Sequence, residues 1–88
     1  MIKVTRFTAD WCSPCRTLAP IIEDIKQSNT DVVFETIDVD QNPETVSQYN
    51  IKGIPVILIE KNGQEVNRFV GVQPKLVYET AINNHKED

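Results

Sequence analysis

The sequence has few residues that could form a structural metal site, since its 88 residues include two cysteines and one histidine. A structural zinc site takes four ligands, so this set falls short, and we expect His85 to lie in a solvated tail. No apolar run approaches the ~20 residues that span a bilayer, which argues against a membrane partner. Positive charge is also scarce. The net charge of −4 provides no basic surface, so we expect no nucleic acid as a partner.

The start of the chain lacks the cationic and long apolar segments of a secretory signal. Met1 leads directly into a short strand pattern. If Met1 is the native start, we expect a cytoplasmic protein, in which a disulfide is more often catalytic or transient than structural. Length and composition, with 40% hydrophobic and 25% charged residues, predict one domain over residues 1–88.

Hydrophobic patterning predicts short strands that alternate with helices. The strands are expected at residues 2–8, 32–39, 56–60 and 65–70. The helices are expected after residue 12, over residues 43–49 and from residue 74, before a polar, frayed tail at residues 83–88. Asn62 and Gly63 predict a tight hairpin between the last two strands, because both accept positive φ. The first two strands flank a helix and so form a parallel pair. The predicted α/β fold is a minimal βαβαββα arrangement, a four-stranded mixed sheet flanked by helices.

Both cysteines lie in one segment between the first strand and the first helix, Trp11-Cys12-Ser13-Pro14-Cys15. Two thiols in this setting can close a small disulfide and open it again, which predicts thiol–disulfide exchange. Cys12 is expected at the helix N-terminus, where unpaired N–H groups and the helix dipole favour the nucleophilic thiolate. Cys15 follows one helical turn later, where we expect it to be more shielded.

The order of elements and the cysteine segment resemble the thioredoxin family over nearly the whole chain. Further motifs carry the resemblance: Asp40-Gln41-Asn42-Pro43, Gly53-Ile54-Pro55, Lys61-Asn62-Gly63 and Val70-Gly71. The usual family member has an extra strand and helix ahead of the active-site strand, so this sequence resembles a shortened form. The family's Gly-Pro between the cysteines is Ser13-Pro14 here. The family's buried acid corresponds to Arg6, and its partner lysine corresponds to Thr36.

The resemblance implies the thioredoxin fold and the activity of a protein-disulfide reductase. Cys12 would be the nucleophile and Cys15 the resolving thiol. The Ile54–Pro55 bond is expected to be cis, beside the cysteines, with the Ile54 backbone receiving an extended substrate. The implied substrate-binding residues are Trp11, Ser13, Pro14, Ile54, Pro55, Val70 and Gly71. We expect protein disulfides as substrates, a thioredoxin reductase as electron donor, a monomer, and no metal or cofactor.

Three single residues allow more than one interpretation. Arg6 either pairs with Asp38 or Glu35 on the neighbouring strand and favours the thiolate, or it reaches solvent. Trp11 is a core residue or, as the family resemblance favours, part of a docking surface. Asp10 is interpreted as a helix cap, although it could also steer substrates.

Two alternative functions stay open at this point. The small size is compatible with a glutaredoxin-like reductase that uses glutathione, although the motif lacks the Pro-Tyr pair typical of glutaredoxins. The third possibility is a non-catalytic binding subunit of a larger assembly, in which the thiols would be dispensable.

Overall fold

The structure is a computed structural model, and it describes residues 1–86 of the chain. Its elements are β1 (Ile2–Thr8), α1 (Ser13–Ser28), β2 (Val33–Asp38), α2 (Pro43–Gln48), β3 (Val56–Lys61), β4 (Gln64–Val70) and α3 (Lys75–Lys86). This order confirms the predicted βαβαββα arrangement, and most boundaries lie within a residue or two of the predicted ones.

The four strands form one mixed sheet in the order β2-β1-β3-β4. β1 and β2 are parallel, while β3 runs antiparallel to both β1 and β4. The inner strand β3 is almost wholly buried, with Ile57, Leu58 and Ile59 all at 0% exposure. Its nearly continuous apolar run reflects that position, because helices cover the strand on both faces.

Helices pack against both faces of the sheet. On one face, α1 and α3 contribute Leu18, Ile25 and Tyr78 to a core that includes Val4 and Ile59. The opposite face carries a second core beneath α2, formed by Phe7, Ile37, Ile51, Val56 and Leu58. Within the described part of the chain, no helix is both long and apolar enough to span a bilayer.

The hairpin between β3 and β4 has the predicted turn. Asn62 has a φ of 53° and Gly63 a φ of 84°, so both central residues lie in the left-handed region. Lys61 and Gln64 pair on either side of the turn. Two consecutive left-handed residues match the right-handed twist of the flanking strands, which confirms the interpretation of this segment as a tight hairpin.

The end of the chain differs from its predicted frayed form. α3 continues through Lys86, so the prediction of a frayed tail is wrong for the last four described residues. Lys86 Nζ donates to Asn29 Oδ1 at 2.7 Å and pairs with Asp31 at 3.1 Å. His85 is half-buried, and its ring bonds to Asn67 Oδ1 at 2.9 Å, so it is not a solvated tail residue. Partners far away in sequence therefore extend the helix. Residues 87 and 88 of the predicted tail lie outside the described residues.

Candidate active site

The cysteine segment places a sulfur at the first turn of α1. Cys12 and Cys15 form a disulfide, and their Cα atoms are 5.3 Å apart. Cys12 is the N-cap of α1, and its Sγ accepts a hydrogen bond from the Cys15 N–H at 3.2 Å. This sulfur thus takes the place of the oxygen that usually caps a helix. A backbone N–H and the positive end of the helix dipole both stabilise negative charge at that atom.

The two sulfur-bearing residues are shielded to different degrees. Cys12 is 4% exposed and Cys15 is 1% exposed, so the predicted order is correct. Cys12 is nevertheless much less accessible than an outward-facing thiol, because Ala9, Val39 and Ile54 pack around the pair. An incoming sulfur can therefore meet only a small part of Cys12.

Trp11 and Asp10 precede the cysteines on the surface. Trp11 is 67% exposed, so the interpretation as a core residue is wrong. Its Nε1 donates to Asp40 Oδ2 at 2.8 Å, which restrains the orientation of the exposed indole. The prediction that Asp10 caps α1 is also wrong, because Cys12 occupies the N-cap. Asp10 offers its backbone carbonyl to Arg16 Nη1 at 2.6 Å instead.

The loop before β3 lies beside the cysteines. The Ile54–Pro55 bond is cis, as predicted, and the Pro55 side chain is fully buried. Ile54 packs against the cluster that contains both cysteines. The Pro55 carbonyl accepts a hydrogen bond from the Gly71 N–H at 2.8 Å, which ties this loop to the end of β4. Gly71 has a φ of +85°, a conformation that explains a glycine at this position.

A mostly apolar cavity of about 300 Å³ opens between the cysteine segment and α2. It is lined by Trp11, Val39, Val46, Ile51, Lys52, Gly53 and Ile54. Two of the predicted substrate-binding residues, Trp11 and Ile54, therefore come together here. Pro55, Val70 and Gly71 lie outside the lining, as do Ser13 and Pro14 at the start of α1.

Sequence reasoning did not identify five of the cavity residues as part of the site, which are Val39, Val46, Ile51, Lys52 and Gly53. Val39 had a usable signal, since it directly follows β2, and its N–H bonds to the Thr8 carbonyl at 2.9 Å. A parallel pair of strands brings both carboxyl ends to one edge, so Val39 had to lie near the cysteine segment. Val46 and Ile51 had no comparable signal, because their place depends on how α2 packs.

Arg6 makes neither of the predicted ion pairs. Its Nη2 donates to Thr36 Oγ1 at 3.5 Å, because the parallel register sets these two residues opposite each other. Glu35 pairs with Lys3 at 3.2 Å on the other face of the sheet. Burial lowers the pKa of the Arg6 guanidinium, and the charge of Glu23 opposes that shift. The predicted pairing with Asp38 or Glu35 is therefore wrong, and the side chain is half-buried rather than extended into solvent.

The features at this edge of the sheet define a class of protein. Cys12, one half of the disulfide, caps α1, and the cis Ile54–Pro55 bond lies beside the disulfide. An apolar cavity flanks the cysteine segment and the loop that contains this bond. Within residues 1–86, no group of three or more histidine, cysteine or acidic residues could hold a metal ion. The arrangement is that of a thiol–disulfide oxidoreductase.

Comparisons with known proteins identify the family. The family model Thioredoxin matches residues 2–84, and the chain belongs to this family of protein-disulfide oxidoreductases. The chain is 37% identical to a thioredoxin of Listeria monocytogenes, over 96% of this chain and 82% of that protein. It is 40% identical to thioredoxin 1 of Synechococcus elongatus, over 90% of this chain and 75% of that protein. A solved structure of a mutant thioredoxin from Halobacterium salinarum NRC-1 superposes with a TM-score of 0.88 at 32% identity. That match covers 94% of this chain and 73% of the other.

Proposed function

We propose that this protein reduces disulfide bonds in other proteins, with Cys12 as the nucleophile and Cys15 as the resolving thiol. The observation that carries the proposal is the position of Cys12 Sγ, which caps α1 and receives the Cys15 N–H at 3.2 Å. This environment favours the thiolate, which is the attacking form of cysteine. Cys15, at 1% exposure, is nearly closed to a large substrate, which suits a thiol that reacts with its neighbour.

The proposed reaction proceeds through two exchanges. In the reduced protein, the Cys12 thiolate attacks one sulfur of the substrate disulfide, that bond breaks, and a mixed disulfide forms. The departing substrate sulfur leaves as a thiolate and takes up a proton. Cys15 then loses its proton and attacks Cys12 Sγ, which releases the second substrate thiol. The substrate gains two electrons and two protons, and the protein ends with the Cys12–Cys15 disulfide.

Substrate binding is proposed for the surface around Cys12. The residues assigned to it are Trp11, Ser13, Pro14, Ile54, Pro55, Val70 and Gly71. The exposed apolar side chains of Trp11 and Val70, at 67% and 61% exposure, support this assignment. An extended substrate segment would pair with the backbone of Ile54, in the manner of an added strand.

The proposal includes a thioredoxin reductase as the electron donor and a monomeric single domain over residues 1–88 that acts in the cytoplasm. Thioredoxin-family proteins generally act on protein disulfides and are reduced by thioredoxin reductase, which supports the choice of donor. The net charge of −4 argues against nucleic acid as a partner.

The test measures the reduction of insulin disulfides with each of two electron donors in turn. One donor is thioredoxin reductase with NADPH, and the other is glutathione. We expect rapid turnover with the reductase and little with glutathione. Cys12→Ser should lose turnover, because the remaining thiol, Cys15, is only 1% exposed and so is nearly closed to a large substrate. Cys15→Ser should instead accumulate a covalent adduct with insulin that dithiothreitol releases, because the mixed disulfide cannot be resolved.

Two outcomes would contradict the proposal. Turnover that depends on glutathione alone would reassign the protein to a glutaredoxin-like activity. Retention of the full biological effect by a double Cys12→Ser, Cys15→Ser variant would favour a binding subunit whose thiols are dispensable.

A further inference from the structure

Arg68, on β4, forms a branched set of hydrogen bonds outside the cysteine segment. Its Nε and Nη2 donate to the two carboxylate oxygens of Glu65 at 2.9 and 2.8 Å. Nη2 also donates to the Tyr49 carbonyl at 2.8 Å, and Nη1 donates to the Asn50 carbonyl at 3.4 Å. One guanidinium therefore connects a strand of the sheet with the end of α2.

The two carbonyls lie where α2 ends. Tyr49 is the C-cap, and Asn50 has a φ of 57°, which turns the chain out of the helix. The Ile51 N–H then bonds back to the Val46 carbonyl at 3.0 Å. The last carbonyls of a helix lack intrahelical donors and carry the negative end of the dipole, so a guanidinium is a matched partner for them.

The segment that follows this helix end is the substrate-binding loop, residues 51–55. Ile51, Lys52, Gly53 and Ile54 line the cavity beside Trp11. At its far end, the Pro55 carbonyl is bonded to the Gly71 N–H at 2.8 Å. The far end of the loop is thus bonded to the residue directly after β4, and Arg68 on β4 bonds to Tyr49 and Asn50, the two residues directly before its near end.

We infer that Arg68 is a positioning residue for the substrate-binding loop. Because it binds the carboxyl end of α2, it holds the loop in the conformation that binds a protein disulfide substrate. This inference rests on the proposed function, because it assigns a consequence to substrate binding. Arg68 bonds to none of the residues that react, so its effect is on substrate binding rather than on sulfur chemistry.

Glu65 and the shape of the guanidinium explain why this position needs arginine. The bidentate pair with Glu65 orients the guanidinium plane, and its remaining N–H groups then point at the two carbonyls. A lysine ammonium carries the same charge but lacks the planar fork, so it can replace the charge without reproducing all of these bonds.

The experiment compares Arg68→Met and Arg68→Lys with a matched control, Lys75→Met. The control removes the same charge and breaks the pair of Lys75 with Asp24, which joins α3 to α1 away from the loop. Insulin reduction is measured with dithiothreitol as the donor, so that reductase docking plays no part. Single-turnover reduction of 5,5′-dithiobis(2-nitrobenzoic acid) reports the sulfur chemistry alone. NMR hydrogen exchange at the Ile51 amide reports the loop.

We expect Arg68→Met to raise the KM for insulin about fivefold with little change in kcat, the pattern of lost binding rather than lost chemistry. Arg68→Lys should raise it about twofold, and Lys75→Met should leave it unchanged. The rate with the small disulfide should stay within about twofold in all three variants. Exchange of the Ile51 amide should accelerate in Arg68→Met, and to a smaller extent in Arg68→Lys.

Each remaining outcome has a defined meaning. An unchanged KM for insulin in both Arg68 variants, with an active wild type, would overturn the inference. An equal rise in KM in Lys75→Met would also overturn it, since the effect would then follow general stability. Inactivity of the wild type toward insulin would refute the proposed function instead. In that case, unchanged Ile51 exchange would still refute the anchoring by Arg68. If Arg68→Met fails to fold, the Arg68→Lys comparison decides.

Discussion

Cys12 performs two tasks that folded proteins usually give to different residues. It ends the extended segment before α1 as the N-cap, and it also carries a sulfur of the disulfide. The same Sγ serves both, because it accepts the Cys15 N–H. Any substitution at this position therefore changes helix capping as well as redox chemistry.

This double role leads to a prediction about two inactive variants. Cys12→Ser keeps a capping oxygen, whereas Cys12→Ala removes the acceptor of the Cys15 N–H. We expect Cys12→Ala to be less stable than Cys12→Ser by about 1 kcal/mol, the usual difference for an N-cap. Urea unfolding of the two variants under reducing conditions measures this difference. Equal midpoints would show that a side-chain acceptor for the Cys15 N–H contributes nothing to stability at this position.

Glu65 should give the protein a small dependence of stability on acidity. The hydrogen bond from Arg68 lowers the pKa of the Glu65 carboxyl below its ordinary value of 4.5. The folded state then binds fewer protons than the unfolded state, so the contribution is complete above pH 4.5 and is lost as the pH falls through the lowered value. Because Glu65 is 42% exposed, we expect less than about 1 kcal/mol.

The measurement is the free energy of unfolding of wild type and Glu65→Gln from pH 6 down to about pH 3. The difference between them should shrink as the pH falls. The difference between wild type and Arg68→Met should depend on pH in the same way, because either substitution removes the ion pair between Glu65 and Arg68. A difference that stays constant with pH would exclude this carboxylate as the source.

In the turn between β3 and β4, Gly63 is required by its backbone conformation rather than by side-chain contacts. Gly63 has a φ of +84°, and a methyl group added there would meet no atom within 4 Å. Gly63→Ala should therefore destabilise by about 1 kcal/mol purely through backbone strain. Gly53→Ala is the control, since its added methyl would make an ordinary 3.9 Å contact with Val70 and no positive φ is involved. Thermal unfolding compares the two, and an equal loss in both would contradict the explanation.

The helices show how far local signals determine an element. The start of α1 was predictable, because the cysteine segment separates a strand pattern from a helical one. The end of α3 was not, since its last turn looks polar and solvated. There, Lys86 bonds to Asn29, 57 residues earlier in the chain. The helix is therefore extended by a partner that no local pattern reveals.

At the scale of the molecule, residues 1–86 form a single sheet with a separate core on each face. Ile25 on α1 belongs to one core, and Ile37 on β2 belongs to the other. Ile25→Val and Ile37→Val should each lower the free energy of unfolding by about 1 kcal/mol. The double variant should show the sum within about 0.5 kcal/mol, because the two sites share no partners.

Denaturant titrations of the two single variants and the double variant test this additivity. In each variant, the fluorescence of Trp11 and far-ultraviolet circular dichroism should report the same single unfolding transition. Transitions that separate in the double variant would show that the two faces of the sheet unfold independently, contrary to the expectation for a small domain.

The candidate site was predictable to an unequal degree across its residues. The cysteine pair, the cis-prolyl bond and the exposed Trp11 were expected from motifs and from the family resemblance. The partner of Arg6 was predicted wrongly, because it depends on the parallel register that sets Arg6 opposite Thr36. Arg68 carried no signal at all, since its role comes from contacts with Tyr49 and Asn50 across the fold.

The local sequence was enough to predict the strands, the starts of the helices, the hairpin and the position of the cysteine segment between β1 and α1. Each of these depends on side chains within a few positions of one another, where periodicity and turn preference act directly. Tertiary packing decided the burial of Cys12, the lining of the cavity, the length of α3 and the hydrogen bonds from Arg68 to the end of α2. These features depend on residues brought together from distant parts of the chain, as with Arg68 and the Tyr49 carbonyl 19 residues before it. Such contacts exist only once the sheet register and the helix positions are set.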